Sequence, residues 1–446
     1  MEKDFFENEL LARAEKPASE ALRLHPFYQG KVEVTLKAPV RNYGDFALWY
    51  TPGVAAPCRA IQGNKEEVYN HTNKANFVAI VTDGTRVLGL GDIGPEAALP
   101  VMEGKALLFK YLGGVDAFPI CLDTKDPEEI IRTVKLLQPA FGGVNLEDIA
   151  SPKCFYILER LRRECHIPVW HDDQQGTACV TLAALFNALK IVGKELSKVK
   201  IALIGAGAAN IATVRLLLAA GVPGENMVIC DSKGILHKGR SDIDETQREK
   251  LEIIRLTAAG SGGIPEAMEG ADVVIALSKP GPGTLKKEWV SAMAEDPIVF
   301  ACANPVPEIW PWEAKEAGAA VVATGRSDFP NQVNNSLGFP AIFRGVLDVR
   351  ARTITDTMCI AAAKELAACA AKKGLTPERI LPTMEDEDVF PRVAAATAMQ
   401  AIKEGVARLE PDRETLYRTA AEKIKRAREQ TRVLMERGLI PLPLEE

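Results

Sequence analysis

The sequence contains no Cys-x-x-Cys pair, although it holds nine cysteines in 446 residues. They are scattered, odd in number and mostly set in apolar runs, as at Cys121, Cys179, Cys230, Cys359 and Cys369. That pattern speaks against a disulfide framework and fits reduced core thiols in a cytoplasmic protein. No apolar run approaches the ~18 residues that a membrane span needs, so no membrane partner is expected. The start, Met-Glu-Lys-Asp-Phe-Phe-Glu, lacks the charged and apolar segments of a signal peptide. Positive charge is not in excess: the net charge is −6, and a nucleic-acid partner is not implied. Internal repeats and low-complexity tracts are also missing. What is present is an ordinary globular composition, 47% hydrophobic and 26% charged, in a chain long enough for two or three domains.

Two short strands each lead into two acids. Val144–Leu146, after a glycine pair, ends in Glu147-Asp148, and Ile167–Trp170 runs through His171 into Asp172-Asp173. Between them, Ser151-Pro152 predicts a helix start, with Ser as N-cap and Pro in the first helical position. Phe155, Leu158 and Leu161 then recur at helical spacing. In a parallel sheet the carboxyl ends of neighbouring strands open on one crevice. Four carboxylates there repel one another unless a counter-charge is present, and a divalent cation is the simplest. Oxygen ligands favour Mg²⁺ or Mn²⁺ over zinc. Solvated acids capping strands and helices remain the alternative on local grounds.

Residues 1–24 read as a helical lead-in and 31–36 as an exposed, alternating strand. Tyr50 precedes a Pro52-Gly53 turn and is either a packing aromatic or a functional phenol. Phe77–Thr82 reads as a strand, followed by Gly89-x-Gly91-x-x-Gly94. That is a literal dinucleotide fingerprint, but Arg86 beside it would equally suit a small carboxylate ligand. Lys105, among Met102, Leu107, Leu108 and Phe109, either snorkels to solvent or is partly buried with a lowered pKa, ready to act as a base. The second glycine loop is better placed. The strand Val199–Ile204 enters Gly205-Ala206-Gly207-Ala208-Ala209-Asn210, a helix follows, and Met227–Asp231 closes the unit. The glycines allow a tight turn and close approach of a pyrophosphate to a helix N-terminus, and Asp231 stands where an acid bonds ribose hydroxyls. The third glycine position holds Asn210, or small Ala209 one residue earlier, a departure from the fingerprint. Strands at Asp272–Leu277, Ile298–Ala303 and Ala320–Thr324 end near Ser278, Asn304 and Gly325, giving an α/β fold with a doubly wound parallel sheet. The loop with Asn334-Asn335 can hold a hydroxyl and a carboxylate without adding charge, or can simply form a turn. From Asp356 onward the chain is helical, and residues 416–437 form a charged surface or subunit-packing helix.

Taken together these motifs resemble malic enzymes of the compact bacterial type, over roughly residues 25–400. The carriers are Trp-Tyr50-Thr-Pro-Gly-Val, Arg86-Val-Leu-Gly-Leu-Gly-Asp-Ile-Gly, Met-Glu-Gly-Lys105-Ala, Asn-Leu-Glu147-Asp148, His-Asp172-Asp173-Gln-Gln-Gly-Thr, Gly-Ala-Gly-Ala-Ala, Ala-Asn304-Pro and Val-Asn334-Asn335. The resemblance implies oxidation and decarboxylation of L-malate to pyruvate and CO₂, with NAD or NADP and Mg²⁺ or Mn²⁺. It implies metal ligation by Glu147, Asp148 and Asp173, Lys105 as base, Tyr50 as acid, and Asp172 beside the metal tuning Lys105. Arg86, Asn304, Asn335 and Asn334 would hold malate. Gly205, Gly207, Ala208, Ala209, Asn210, Asp231, Ser278 and Asn304 would line the dinucleotide. An N-terminal malate and metal domain is expected over 1–161, a Rossmann-like domain over 162–400 and a helical segment over 401–446. The expected assembly is a homodimer or higher homo-oligomer, without the phosphotransacetylase-like extension of some relatives.

Two rivals stand beside this reading. A hydroxy-acid dehydrogenase that does not decarboxylate would leave the acids unexplained. A dinucleotide-binding regulatory protein without turnover would leave Tyr50 and Lys105 unexplained. For the cofactor, Asp231 favours NAD by repelling a 2′-phosphate, while Lys233, Lys238 and Arg240 in the same loop could pair with one.

Overall fold

The computed structural model describes residue 17, residues 19–258 and residues 260–443. Of the expected lead-in helix, residues 1–16 and 18 lie outside the described residues, and 19–28 are helical. Residues 31–36 join no sheet among the described residues. Alternation supplies a strand pattern, but a strand also needs a neighbouring backbone to bond.

Among the described residues, ten strands form two sheets. The first contains β1 (Phe77–Thr82), β2 (Asp116–Cys121), β3 (Gly143–Leu146) and β4 (Val169–His171) in the order β2-β1-β3-β4, all parallel. Val78 to Val81 of β1 and Val144 and Leu146 of β3 are fully buried, as expected for parallel strands covered on both faces. Each such Val, Leu or Ile contributes roughly 1.5–3 kcal/mol when taken out of water. The register pairs Leu146 with His171, so Glu147-Asp148 and Asp172-Asp173 leave the sheet side by side. The second sheet contains β5 (Ile201–Ile204), β6 (Met227–Asp231), β7 (Gly234–Ile235), β8 (Val273–Ala276), β9 (Ile298–Ala301) and β10 (Val321–Thr324). Its order is β10-β9-β8-β5-β6-β7, parallel except for the short β7. The strand order reverses between β5 and β8, where α/β sheets bind ligands.

Three expectations shift. Because β4 pairs with β3, the division expected between 161 and 162 cuts the first sheet before its last strand. Ser151 does not cap the next helix, which runs Lys153–Glu164; its first turn is closed by the carbonyls of Ala150 and Pro152. And one helix, Asp172–Val192, is long and apolar enough to cross a membrane by length and composition, where no such run was expected. Of its most apolar stretch 72% is buried, and it packs on the helices Ala208–Ala219 and Asp356–Lys372 as a core helix whose apolar residues face protein on all sides.

After the second sheet the chain returns to the first. Phe109, in the helix Pro95–Gly113, meets the rings of Phe339 and Phe343 edge-on at 4.7 and 5.2 Å. The final helix, Arg413–Glu436, also packs on Pro95–Gly113, and Arg428 Nε donates to Tyr111 O at 3.2 Å. The chain's last helices therefore cover the core of its first sheet.

Candidate active site

Glu147, Asp148 and Asp173 present carboxylate oxygens that all lie within 4.8 Å of one another. Asp148 Oδ2 is buried without a hydrogen-bond partner among the described residues, which fits a cation ligand rather than a cap. Asp148 also holds a left-handed backbone (φ 53), unusual for a residue other than glycine. That conformation is fixed from both sides, as Arg86 N–H donates to Asp148 O at 3.0 Å and Asp148 N–H donates to Asp173 Oδ2 at 2.9 Å. Burial, together with the negative charge of Asp173, pushes the Asp148 carboxyl up to about 8. Burial pushes Glu147 well above the carboxylate range as well, though Lys105 opposes it.

Lys105 does not snorkel. It is 8% exposed, and its Nζ lies 2.6 Å from Asp172 Oδ2 and 3.0 Å from Glu147 Oε1, with the Phe339 ring centroid at 4.4 Å. The expectation of a lowered pKa is corrected here. Burial does act against the charge, but Asp172 and Glu147 outweigh it and hold Lys105 protonated above its ordinary value. The sequence places Lys105 in an apolar helix; the acids that reverse the sign arrive from two other elements.

Several residues around this cluster carry no signal that the sequence reading used. Asn145 Nδ2 donates to Glu147 Oε2 at 2.8 Å from inside β3. An amide in an otherwise apolar buried strand was the clue. The fully buried Trp170 donates from Nε1 to Asp172 Oδ1 at 3.0 Å, so the two oxygens of Asp172 are held by an indole and an ammonium. His171 is fully buried, its Nδ1 is 3.5 Å from Asp173 Oδ2, and burial keeps it below the usual histidine value. Asp172–Gly176 form a π-helical turn, a local widening common at functional sites. Within that turn a Cβ on Gly176 would sit 2.0 Å from Asp172 Oδ1 and 3.2 Å from Asn335 Cβ. Asp172 is locked on both oxygens and cannot yield. Gly176→Ala should therefore cost about 1–3 kcal/mol of stability through overpacking and lower turnover at least ~10-fold by displacing Lys105. Thermal melts and steady-state rates of the variant check both, and wild-type values in each would show that the turn is plastic.

The dinucleotide loop faces the same region. The helix Ala208–Ala219 packs against the Asp172–Gly176 turn. Gly205 has φ 99, and a Cβ there would meet Leu277 O at 2.5 Å, so only glycine fits. Gly207 has open space where a side chain would stand, and no side chain caps the helix that starts at Ala208. That leaves its first N–H groups for an anion. Asn210 takes the third glycine's place by tying the loop from within, its Nδ2 donating to Ile204 O and Gly205 O at 2.9 and 2.8 Å. A cleft of about 410 Å³ opens here, bounded among others by Pro152, Ala206, Ile211 and Lys250. A second, about 500 Å³, lies among the C-terminal helices and shares no residue with this site.

Asp231 is not a free ribose acceptor. Arg240 clasps it with both terminal nitrogens at 3.0 and 3.1 Å, and Lys250 reaches it at 2.8 Å. Burial opposes its charge, but these partners hold its carboxyl below the usual range. Of the three cations expected to compete for a 2′-phosphate, Arg240 is in place and Lys233 pairs with Asp242; Lys250 was not foreseen. Ser278, too, is engaged: its N–H and Oγ bond the buried Glu308, whose other oxygen takes Ala303 N–H at 3.0 Å. Glu308 thus ties together the ends of β8 and β9.

On the malate side, Gly89 comes up against Asn304, with a built Cβ 3.6 Å from Asn304 O, so the loop holding Arg86 meets the end of β9. Asn335 stands against Gly176 beside Asp172. Asn334 instead caps the short turn Asn335–Leu337 through its Oδ1, accepting from Ser336 N–H at 2.9 Å. Tyr50 is not brought to the cluster within the chain. It is 71% exposed, and no side-chain bond links it to Lys105 or the acids among the described residues.

Comparisons with known proteins match this geometry. The N-terminal domain model of malic enzyme covers residues 29–162, and the malic enzyme NAD binding domain covers 174–402. A bifunctional malic/malolactic enzyme of Bacillus subtilis (strain 168) is 53% identical over 395 residues, 89% of this chain and 95% of that protein. An NADP-dependent malic enzyme of Halomonas elongata is 45% identical, over 85% of this chain and 92% of its own length. The crystal structure of Entamoeba histolytica malic enzyme superposes with a TM-score of 0.95 at 50% identity, covering 98% of this chain and 92% of that one. With two family domains in order, relatives aligned over most of their length and a shared fold, the chain belongs to the malic enzyme family.

Proposed function

We infer that the chain oxidises and decarboxylates L-malate to pyruvate and CO₂ while reducing NAD(P), with Mg²⁺ or Mn²⁺. The observation that carries this is the junction of Lys105 with Asp172 and Glu147, set beside the Glu147–Asp148–Asp173 triad and under the dinucleotide loop. The donor set fits a divalent cation: three carboxylates, one with an orphaned oxygen. When bound, that cation supplies positive charge for malate's hydroxyl and carboxylate and for the enolate left by loss of CO₂. The nicotinamide supplies the hydride acceptor.

The remaining work falls to the chain. Lys105 takes the hydroxyl proton as hydride leaves carbon 2, which it can do once the carboxylate charge that holds it protonated is balanced. Asp172, fixed by Trp170, aims the ammonium. Arg86 offers a guanidinium to a malate carboxylate, and Asn304 and Asn335 offer amides without charge. Tyr50 returns a proton to carbon 3. The reading includes a cytoplasmic location, supported by nine free cysteines, and a homo-oligomeric assembly, supported by the exposed side chains of Tyr43, Leu48, Trp49 and Tyr50.

The test is an assay of NAD(P)H with L-malate, with and without Mn²⁺, using each cofactor, together with detection of pyruvate and CO₂. Accumulation of oxaloacetate without CO₂ would instead favour the dehydrogenase that does not decarboxylate.

For the cofactor we infer a preference for NAD with NADP accepted. Asp231 repels a 2′-phosphate, but Arg240 and Lys250 already neutralise it and could transfer to the phosphate. Asp231→Ser should raise the NADP to NAD ratio of kcat/KM by about 10–100-fold, since it removes the repulsion and frees both cations. An unchanged ratio would remove Asp231 from the role of selector.

A further inference from the structure

We propose that Glu308 is a positioning residue for the nicotinamide half of the cofactor, fixing the gap between the ends of β8 and β9 so that the ring meets malate. The cofactor itself comes from the functional reading above; the task of Glu308 comes from how the two strands end.

Strand order says which half of a dinucleotide lies here. β6, closed by Asp231, flanks β5 on one side, and β8 and β9 follow on the other. The strand after the glycine loop serves the adenosine ribose, so the pyrophosphate crosses at the loop and the nicotinamide half runs on toward β8 and β9. Both of these strands end against a neighbouring site. A Cβ on Gly205 of the glycine loop would lie 3.2 Å from Ser278 Cα, just past β8. A Cβ on Gly89 of the Arg86 loop would lie 3.6 Å from Asn304 O, just past β9. Ser278 therefore borders the pyrophosphate and Asn304 borders malate. The spacing between them decides where the hydride acceptor stands.

Backbone pairing of the two strands runs as far as Ala276 and Ala301, with Cys302 N–H donating to Ala276 O at 3.0 Å. Past that point the Glu308 side chain takes over. One of its oxygens accepts from Ser278 N–H and Oγ–H at 2.9 and 3.1 Å, and the other from Ala303 N–H at 3.0 Å. The backbone continues the lacing: Glu308 O accepts from Leu285 N–H at 3.0 Å, and Val306 O from Gly281 N–H at 3.2 Å. Glu308 is fully buried, yet none of these side-chain partners is a cation. Burial pushes its carboxyl up, and the N–H groups of Ala303 and Ser278 act against that. A carboxylate buried without a counter-charge is costly. Packing alone would be served as well by apolar groups of the same shape. What apolar groups cannot do is pin three donors from two strands to one rigid fork. Neither strand end can shift without leaving a buried donor unpaired. Pro305 and Pro307, each with a fixed φ, stiffen the turn that brings Glu308 back beneath the strand ends.

The test uses the full chain carrying Glu308→Gln, which keeps the shape of the side chain but turns an amide nitrogen toward a donor. Affinity is measured for NADH, which has the nicotinamide half, and for ADP, which lacks it. The variant should bind NADH about 10-fold more weakly and ADP within about twofold of wild type, a split that general loosening of the fold does not give. Its kcat for malate should fall about 100-fold, with KM for malate changed less. Equal losses for the two ligands, unchanged affinity for NADH or a wild-type kcat would overturn the proposal. If the variant does not fold, hydrogen exchange in the wild-type chain decides. The N–H groups of Ser278 and Ala303 should exchange slowly before any NADH is added. Fast exchange that slows only with NADH would mean that the cofactor, not Glu308, orders the strand ends. A wild-type chain that binds NADH but leaves malate untouched would sink the functional reading alone, and the split between NADH and ADP would still decide the role of Glu308.

Discussion

Lys105→Ala should lower kcat for malate oxidation by about 10³-fold, with KM for malate changed far less, because a positioned base contributes roughly 10²–10⁴-fold. A structural effect comes with it and must be separated. Asp172 and Glu147 would lose the ammonium at 2.6 and 3.0 Å, and stripping one partner from a buried ion pair costs about 3–5 kcal/mol. The separation comes from small primary amines added to the variant. An amine that enters the vacated space should restore turnover in proportion to its basicity, whereas a role confined to packing gives no rescue. A variant that melts earlier yet turns over at the wild-type rate would return Lys105 to the structural role of neutralising its neighbours.

Removing a carboxylate should be as damaging. Asp173→Ala should weaken Mn²⁺ binding at least ~100-fold and abolish metal-dependent turnover while leaving NADH binding nearly intact. Calorimetry of the wild-type chain adds a test of sign. The Asp148 carboxyl is pushed up to about 8, so at pH 7 it is largely protonated until a cation displaces the proton. Mn²⁺ binding at pH 7 should therefore release protons, seen as a heat that varies with the buffer's ionisation enthalpy. The release should fade, and the affinity level off, above about pH 8. The linkage to folding has the opposite sense. A carboxyl whose folded pKa is raised stabilises the cation-free protein below its unfolded value, near 4. That contribution is lost as pH rises through about 8. The melting temperature of the cation-free chain should fall across this window and recover on adding Mn²⁺. Buffer-independent heats at pH 7 would show that the triad is already ionised.

Much of the fold could be read from the sequence because its strands are apolar runs closed by acids, glycine or asparagine, and those endings are where a parallel sheet gathers ligands. Glu147, Asp148, Asp172 and Asp173 were found this way, since the register that pairs Leu146 with His171 only sets adjacent what the strand ends already implied. What escaped were properties that depend on partners far along the chain. The protonation of Lys105 is decided by acids from β3 and from the turn after β4. The state of Asp231 depends on Lys250, which lies in the helix Arg248–Leu256. Glu308 reads locally as one more acid after a turn, and only the meeting of β8 with β9 gives it a task.

The return of the last helices to the first sheet has a consequence for synthesis. Phe109 needs Phe339 and Phe343 against it, and the helix Pro95–Gly113 needs Arg413–Glu436 along its flank. A ribosome that has finished β1 to β4 has not finished their core. Nascent chains released before the final helix should leave that apolar flank open and engage chaperones, and domain-by-domain folding during translation is barred to the N-terminal half. The two family domains are adjacent in sequence, but the first is born incomplete and waits for the end of the chain.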